Sequence, residues 1–261
     1  MSETHPESNI FSIYEVGVLE METTCIIAVR NGASFLKAAL DSVLGQNICP
    51  DEVLVVDDGS TDTSADIAKN HVLRPRVMNS VGRGPAAARN TALNVAKGRF
   101  IAFLDADDLW HPNKLERQFQ EFERDPDLGL CFSASENIAD PPVISSEDWR
   151  TTQLGNQKGN FLLSTTLARR SLFDKVGMFD ESLFPWGEDT DWFLRVVAAK
   201  IRIKLIADVL VDRRLHDSNL TRSFASPQRI DTAFSLLSRD LARRRGANKQ
   251  SLHQHPQEDN V

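Results

Sequence analysis

The chain has 261 residues, of which 41% are hydrophobic and 26% are charged, and its formal net charge is -7 at pH 7. This length is enough for one large α/β domain or two small ones, and the composition is typical of soluble globular enzymes. The negative charge argues against nucleic acid as the main partner, because binding a phosphate backbone requires an extended basic face.

The first half of the chain predicts an α/β architecture. A polar, acidic arm at 1–22 comes first. The predicted strands are 24–29, 52–56, a short one ending at 77–78, and 100–104, and the predicted helices are 34–44, 62–70 and 85–96. This alternation predicts a doubly wound, mostly parallel sheet, in which ligands bind beyond the carboxyl ends of the strands.

The second half carries further helices and strands in a less regular order. The pattern predicts helices at 113–124, 170–176 and 189–199, strands at 128–133, 201–206 and 209–215, a polar loop at 136–160, and a terminal helix at 230–245 before a disordered tail. We therefore divide the chain into the arm 1–22, a domain 23–222, and a C-terminal helix and tail 223–261.

The cysteines and the apolar runs bear on the compartment. Cys25, Cys49 and Cys131 are an odd, widely spaced set that gives neither a disulfide framework nor a metal-ligand spacing, which favours a reducing cytoplasm. No signal sequence or stretch of about 18 apolar residues is present, so we expect no transmembrane segment. Any contact with the inner face of the membrane would then be peripheral.

The strongest chemical signal is FIAFLDADDLW at 100–110, where an apolar strand ends in three carboxylates. Asp105 and Asp107 are two residues apart, so on an extended backbone they would point the same way toward one divalent cation. Oxygen ligands suit Mg²⁺ or Mn²⁺, which would stabilise a departing nucleotide diphosphate. The alternative is an acidic turn before the next helix.

Three segments together resemble family-2 glycosyltransferases of the A-type fold. They are VLVVDDGSTDTS at 53–64, GPAAARNTAL at 84–93 and GRFIAFLDADDLWHPNKLE at 98–116. The resemblance implies a Rossmann-like sheet flanked by helices, with a nucleotide-sugar-binding half at 23–110 and an acceptor half at 111–222. It also implies a metal-dependent, inverting hexosyltransferase with a nucleotide-sugar donor.

The resemblance implies a nucleotide site on the first two strands. Ala28, Arg30 and Asp58 would line the base and the ribose. A carboxylate facing a uracil N–H is a sound hydrogen-bond match, so UDP is the favoured nucleotide, while guanosine and thymidine remain open. For Asp57 and Asp58 the alternative to nucleotide binding is a helix-capping turn in which Gly59 takes a positive φ, and this alternative is strongest for Asp57.

The same resemblance assigns the diphosphate and metal groups. Arg89 would face the diphosphate or the acidic motif, Asp105 and Ala106 would line the donor site, and His216 would join Asp105 and Asp107 as a metal ligand. Two alternatives stay open, since Arg89 suits a solvated helix position and a lone histidine is more often structural.

The segment FPWGEDTDWFLR at 184–195 resembles the acceptor-side E-D motif of the family. Asp189 is the first choice for the general base, Glu188 the second and Asp191 the third. Trp186 and Asp191 would also contact the acceptor. A helix N-terminus stabilises the carboxylate that must accept the proton. The alternatives are that the acids cap the helix and that Trp186 belongs to the core.

Other functions fit this sequence less well. A sugar nucleotidylyltransferase would need a glycine-rich basic loop after the first strand, where this chain has VRNGAS at 29–34. A non-catalytic nucleotide-sugar-binding protein would have no reason to retain Asp105, Asp107, Asp189 and His216 together. The donor sugar, the oligomeric state and the acceptor, whether a saccharide, a lipid-linked sugar or another hydroxyl compound, stay open.

Overall fold

The computed structural model describes residues 22–139, 155–157, 162–183, 187–216 and 219. The predicted arm, most of the predicted loop at 136–160, Trp186 and the predicted terminal helix lie outside these residues. Among the helices described, none is both long and apolar enough to cross a membrane.

The first half of the domain forms the predicted parallel layer. Its elements are β1 (Thr23–Val29), α1 (Leu36–Leu44), β2 (Glu52–Asp57), α2 (Ser64–Asn70), β3 (Arg76–Asn79), α3 (Gly84–Leu93) and β4 (Phe100–Asp105). The four strands are parallel and lie in the order β3-β2-β1-β4. Helix α1 shows why the pattern was informative, because its buried residues, Leu36, Ala39, Leu40 and Val43, recur at helical spacing.

The second half extends the same sheet. Its elements are β5 (Leu109–Trp110), α4 (Lys114–Arg124), β6 (Leu130–Ala139), β7 (Gly155–Gln157), a 3₁₀ turn (Leu163–Thr165), β8 (Thr166–Arg169), α5 (Ser171–Val176), α6 (Glu188–Ala198) and β9 (Ile203–Leu215). The described strands make one nine-stranded sheet in the order β3-β2-β1-β4-β8-β6-β9-β5, with β7 beside β6.

Helices cover both faces of this sheet. One apolar cluster joins α1, α2 and α4 to the strands, and the other joins α3, α5 and α6 to the opposite face. Strand β8 runs antiparallel to both β4 and β6, so the sheet is mixed at its centre and parallel on the β3 side. The predicted fold class, an α/β sheet flanked by helices, is confirmed, and the described sheet as a whole is mixed.

Two predictions about the second half are wrong. The strands predicted at 201–206 and 209–215 are one strand, β9, which shifts register against β6 on either side of Ala134 and so absorbs the extra residues. The loop predicted at 136–160 is a strand at 136–139 and at 155–157. The strand at 136–139 was not predicted because this part of β6 is polar in composition, although Ser135 and Asn137 are buried within it.

Candidate active site

The predicted donor residues converge because β1, β2 and β4 end at one edge of the sheet. Ala28 pairs in register with Asp105 on one side, and Val29 pairs with Asp57 on the other. Arg30, Asp58 and Asp107 follow these strand ends directly. The parallel register therefore brings three distant segments of sequence to one place.

A cavity of about 500 Å³ opens at this edge. Asp58 is nearly buried in its wall, accepts a hydrogen bond from the Gly84 amide at 2.8 Å and lies 4.0 Å from the half-exposed Arg30 guanidinium. Most of the remaining lining comes from the last residue of β3 and the loop after it, and sequence reasoning assigned none of these residues to the site: Asn79, Ser80, Gly82 and Arg83. Since β3 lies parallel to β2, with Asn79 opposite Asp57, a predicted parallel pairing of these two strands would have placed the end of β3 at the same edge of the sheet.

Asp57 takes the turn role that competed with nucleotide binding. Its Oδ1 accepts the Ser60 amide at 2.9 Å, and Gly59 adopts a φ of 77° in the same turn. The loop after β1 is tied to this turn, because three successive amides donate to side chains beyond β2. These are Asn31 to Ser60, Gly32 to Ser64 and Ala33 to Asp62. Those amides are thereby committed within the protein.

The acidic motif is turned rather than extended. The Asp108 amide donates to the Asp105 carbonyl at 3.0 Å, so the chain bends at the strand end and the prediction of an extended backbone through Asp107 is wrong. The third acid lies inside the protein, where Asp108 accepts a hydrogen bond from Ser164 Oγ at 2.7 Å. Burial, together with the charges of Asp107 and Asp105, raises the pKa of Asp108 well above its ordinary value.

Asp107 belongs to a cluster at the end of β9. His216 Nε2 lies 3.0 Å from Asp107 Oδ2, and Asn219 Nδ2 donates to the same oxygen at 3.1 Å. The imidazole stacks on the Phe35 ring with centroids 4.1 Å apart. Arg214 donates to the backbone carbonyls of Asp107 and Phe35. The sequence pointed to His216 but not to its supports Phe35, Arg214 and Asn219.

A divalent ion fits this cluster only with help from a ligand. Nowhere in the described ranges do three or more His, Cys, Asp or Glu side chains lie close enough to hold a metal alone. The 3.0 Å between His216 Nε2 and Asp107 Oδ2 is nevertheless the spacing, about 3 Å, of two adjacent ligands around an octahedral ion. Mg²⁺ commonly combines one or two protein ligands with waters and substrate phosphates.

Arg89 joins the two halves of the site. Its side chain is only 10% exposed, and it donates to Asp105 Oδ1 at 2.8 Å and to Glu188 Oε1 at 2.7 Å. Burial acts to lower the pKa of Arg89, but the charges of Asp105, Glu188 and Asp189 outweigh it and raise the pKa. Arg89 therefore stays charged, and it is a buried bridge rather than a solvated helix residue.

The three acids of α6 have different surroundings. Glu188 is buried against Arg89, and Asp189 is partly exposed, with its Oδ1 accepting the amide of Thr190. Asp191 is 2% exposed and accepts a hydrogen bond from Arg195 at 2.8 Å. The structure thus brings Glu188 and Asp189 to the site edge, while the Asp191 carboxylate is engaged by Arg195 within the interior.

Comparison of the sequence with known proteins identifies the family of this chain. The profile of glycosyl transferase family 2 matches residues 24–180. The chain is 40% identical over 201 residues to the Escherichia coli UDP-Glc:alpha-D-GlcNAc-diphosphoundecaprenol beta-1,3-glucosyltransferase WfaP, covering 75% of this chain and 78% of that one. It is 30% identical to an uncharacterised glycosyltransferase of Rickettsia typhi, covering 76% of this chain and 65% of that one.

Solved structures agree on the fold. Residues 1–349 of Staphylococcus aureus TarS, in complex with UDP-GlcNAc, superpose with a TM-score of 0.68 at 21% identity, covering 85% of this chain and 66% of that one. The mannosyltransferase PcManGT of Pyrobaculum calidifontis, in complex with GDP-Man and Mn²⁺, gives a TM-score of 0.57 at 21% identity, covering 76% of this chain and 58% of that one. The chain spans about two thirds of the length of several of these relatives. On the family profile and the fold together, it belongs to glycosyl transferase family 2 and has the A-type glycosyltransferase fold.

Proposed function

We propose that the protein transfers a sugar from a UDP-sugar to an acceptor hydroxyl, with inversion at the anomeric carbon and with a bound Mn²⁺ or Mg²⁺. One observation carries the proposal: Arg89 links Asp105, at the end of the donor strands, to Glu188, at the start of the acceptor-side helix. A donor seated at the first group would meet an acceptor activated beside the second. UDP is also the nucleotide named for the Escherichia coli relative and for the TarS complex.

The nucleotide would occupy the cavity beside β2. Asp58 would accept the uracil N–H, and Arg30, which is half-exposed at the rim, would face the ribose or the phosphate. Ala28 and Ala106 are small residues that pack against the core near this edge, so they leave room for the ligand above them. The loop after β1 is already joined by hydrogen bonds to the turn after β2, so binding of the nucleotide would require little further ordering of either.

The diphosphate would sit between Arg89 and the cluster at the end of β9. Asp107 and His216 would hold the ion, and Asp105 lies beside them, engaged by Arg89. When bound, such an ion offsets the negative charge that develops on the departing diphosphate. Arg89 adds a fixed positive charge at a buried position, where electrostatic stabilisation is stronger than in water.

Asp189 is the proposed general base. Among the acids Glu188, Asp189 and Asp191 of α6, it is the one with partial exposure, so its carboxylate can meet an acceptor hydroxyl. The carboxylate would take the acceptor proton as the acceptor oxygen bonds to the anomeric carbon. The bond from that carbon to the UDP oxygen breaks on the opposite face, which gives inversion. Glu188, buried against Arg89, holds the arginine instead.

A lipid-linked saccharide is the acceptor class we would test first. The Escherichia coli relative is named for transfer to GlcNAc on diphosphoundecaprenol, and it is 40% identical to this chain. Purified protein would be incubated with UDP-Glc, UDP-GlcNAc and GDP-Man, with and without Mn²⁺, and with a GlcNAc-diphospho-lipid. Release of free nucleotide diphosphate and the mass of the glycosylated lipid would be measured.

Two substitutions separate the proposed roles. Asp189→Asn should lower kcat by about 100-fold or more while UDP affinity is kept, because it removes only the proton acceptor. Asp107→Asn should abolish the activation by Mn²⁺. The matched control is Asp174→Asn, an exposed acid of α5, which should leave the rate unchanged. Failure of the protein to bind any nucleotide sugar with Mn²⁺, or a full rate in Asp189→Asn, would contradict the proposal.

A further inference from the structure

Two consecutive residues of α3 hold both ends of one acceptor-side segment. Arg89 binds Glu188, the first residue of α6, and Asn90 binds Phe179, nine residues earlier. Of the residues between these two contacts, 180–183 and 187 are described, and Asp189 follows Glu188 directly. The segment lies largely beyond the part of the chain that matches the family profile, which ends at residue 180.

Asn90 is fully used in this contact. It is 7% exposed, and its side-chain amide pairs with the Phe179 backbone in both directions. Nδ2 donates to the Phe179 carbonyl at 2.9 Å, and Oδ1 accepts the Phe179 amide at 3.0 Å. Nδ2 also donates to Glu181 Oε1 at 2.9 Å. Only a side chain with a donor and an acceptor at this length satisfies all three groups.

The start of the segment is rigid on its other side. Phe179 packs against Phe103 of β4 and Trp192 of α6, with ring centroids 5.6 Å away in each case. Glu181 lies close to the donor-side loop, since a Cβ placed on Gly82 would be 3.2 Å from its Oε2. Asn90 therefore stands where the donor loop, α3 and the acceptor segment meet.

We propose that Asn90 is a positioning residue for sugar transfer. Asn90 fixes Phe179, which packs on Trp192 of α6. Arg89 binds Glu188 at the start of the same helix, so the two residues together set the place of Asp189 relative to the donor carboxylates. The inference rests on the proposed role of Asp189 as general base. It assigns to Asn90 an effect on the chemical step that is separate from nucleotide binding, since the nucleotide cavity is lined by other residues.

The test is Asn90→Asp, which keeps the shape and removes both donors. The new carboxylate would face the Phe179 carbonyl and the Glu181 carboxylate. We expect kcat to fall by about 100-fold, the scale of a base displaced by about 1 Å, with donor KM and UDP affinity within about twofold. Asn94→Asp, at the exposed C-terminal end of the same helix, is the matched control and should keep its kcat. An unchanged kcat, or an equal loss of UDP affinity, would overturn the inference.

A second substitution tests the contact itself. Glu181→Gln, added to Asn90→Asp, supplies an amide donor to the new carboxylate and should recover about tenfold in kcat. If Asn90→Asp does not fold, Glu181→Ala removes only one of the three hydrogen bonds and should lower kcat in the same direction by less. No recovery in the double variant, or an unaltered rate in Glu181→Ala, would count against the assignment.

Hydrogen exchange separates this inference from the proposed function. In Asn90→Asp, amides of 179–183 and 187–198 should exchange faster, while those of β1 and β2 should keep their protection. If the unsubstituted protein turns over no nucleotide sugar, the proposed function fails, while this exchange pattern still tests whether Asn90 holds Phe179 and Glu181 in place. Uniform loss of protection across the sheet would instead show a general structural role for Asn90.

Discussion

Glu188 is the residue whose surroundings conflict most with its charge. One carboxylate oxygen pairs with Arg89, but the other, Oε2, is buried and has no hydrogen-bond partner among the described residues. Burial raises the pKa of Glu188 above its ordinary value of 4.5, and the Arg89 charge, which lowers it, does not compensate. A carboxyl group with a raised folded-state pKa stabilises the fold when it is neutral. That contribution is present below about pH 4.5 and is lost as the pH rises through the folded pKa.

Glu188→Gln should therefore be more stable than the unsubstituted protein at neutral pH. Glutamine keeps an oxygen for Arg89 and does not ionise, so the difference in free energy of unfolding should grow as the pH is raised from 5 to 8. Urea unfolding at four pH values in this range would measure it. Glu123→Gln, on α4 away from Arg89, serves as the control and should show no such trend. A Glu188→Gln difference that shrinks as the pH rises would contradict the predicted direction.

At the scale of elements, the junction before β4 depends on Gly98. Its amide donates to Thr24 Oγ1 at 2.9 Å, and a Cβ at this position would lie 2.8 Å from the Phe100 carbonyl oxygen and closer still to the Thr24 amide nitrogen. These are backbone atoms of paired strands, so they have little freedom to move. The glycine is required because the backbones of β1 and β4 approach it closely here, at the end of β4 opposite the acidic motif.

Gly98→Ala should lower the free energy of unfolding by at least about 1–3 kcal/mol, the cost of forcing an extra methyl group into a packed site. Gly45→Ala is the control, because Gly45 ends α1 with a φ of -80° and has no atom closer than 3.4 Å to an added Cβ. That variant should be as stable as the parent or slightly more so. Denaturant melts of the two proteins, read by circular dichroism, compare them. Equal stability would show that β1 can shift to admit the methyl group.

The sequence predicted the parallel layer well because each element there carries its own signal. Strand β1 is continuously apolar, and α1 repeats its apolar residues at helical spacing. Only the first part of strand β6 was predicted, at 128–133, because its continuation carries buried polar residues such as Ser135 and Asn137. Strand β5 has only two residues, and its pairing with β9 spans about a hundred residues, which local periodicity cannot register.

The residues of the candidate site were likewise predicted only where the local sequence pattern marked them. Asp58, Asp105 and His216 follow strand ends, so their position in the pattern pointed to them. Arg214 and Asn219 were missed because their contacts to Asp107 depend on how the end of β9 meets the turn after β4.

At the scale of the whole molecule, the nucleotide half and the acceptor half share one sheet. Strand β8 pairs with β4 on one side and with β6 on the other, so the ladder passes from one half to the other without a break. Trp110, at the end of the first half, donates its indole N–H to the carbonyl of Ser164 in the second. The buried bridge of Arg89 adds a charged contact between them.

The domain should therefore unfold as a single cooperative unit. If the two halves were separable, urea would produce two transitions, one for residues 23–110 and one for 111–222. We expect one transition, with the far-ultraviolet circular dichroism and the tryptophan fluorescence changing together, because Trp110 and Trp192 are buried in the two different apolar clusters. A fragment of residues 23–110 expressed alone should stay unfolded, since β4 would expose the edge that β8 covers. Probes with separate midpoints, or a folded fragment, would show that the shared sheet does not couple the halves.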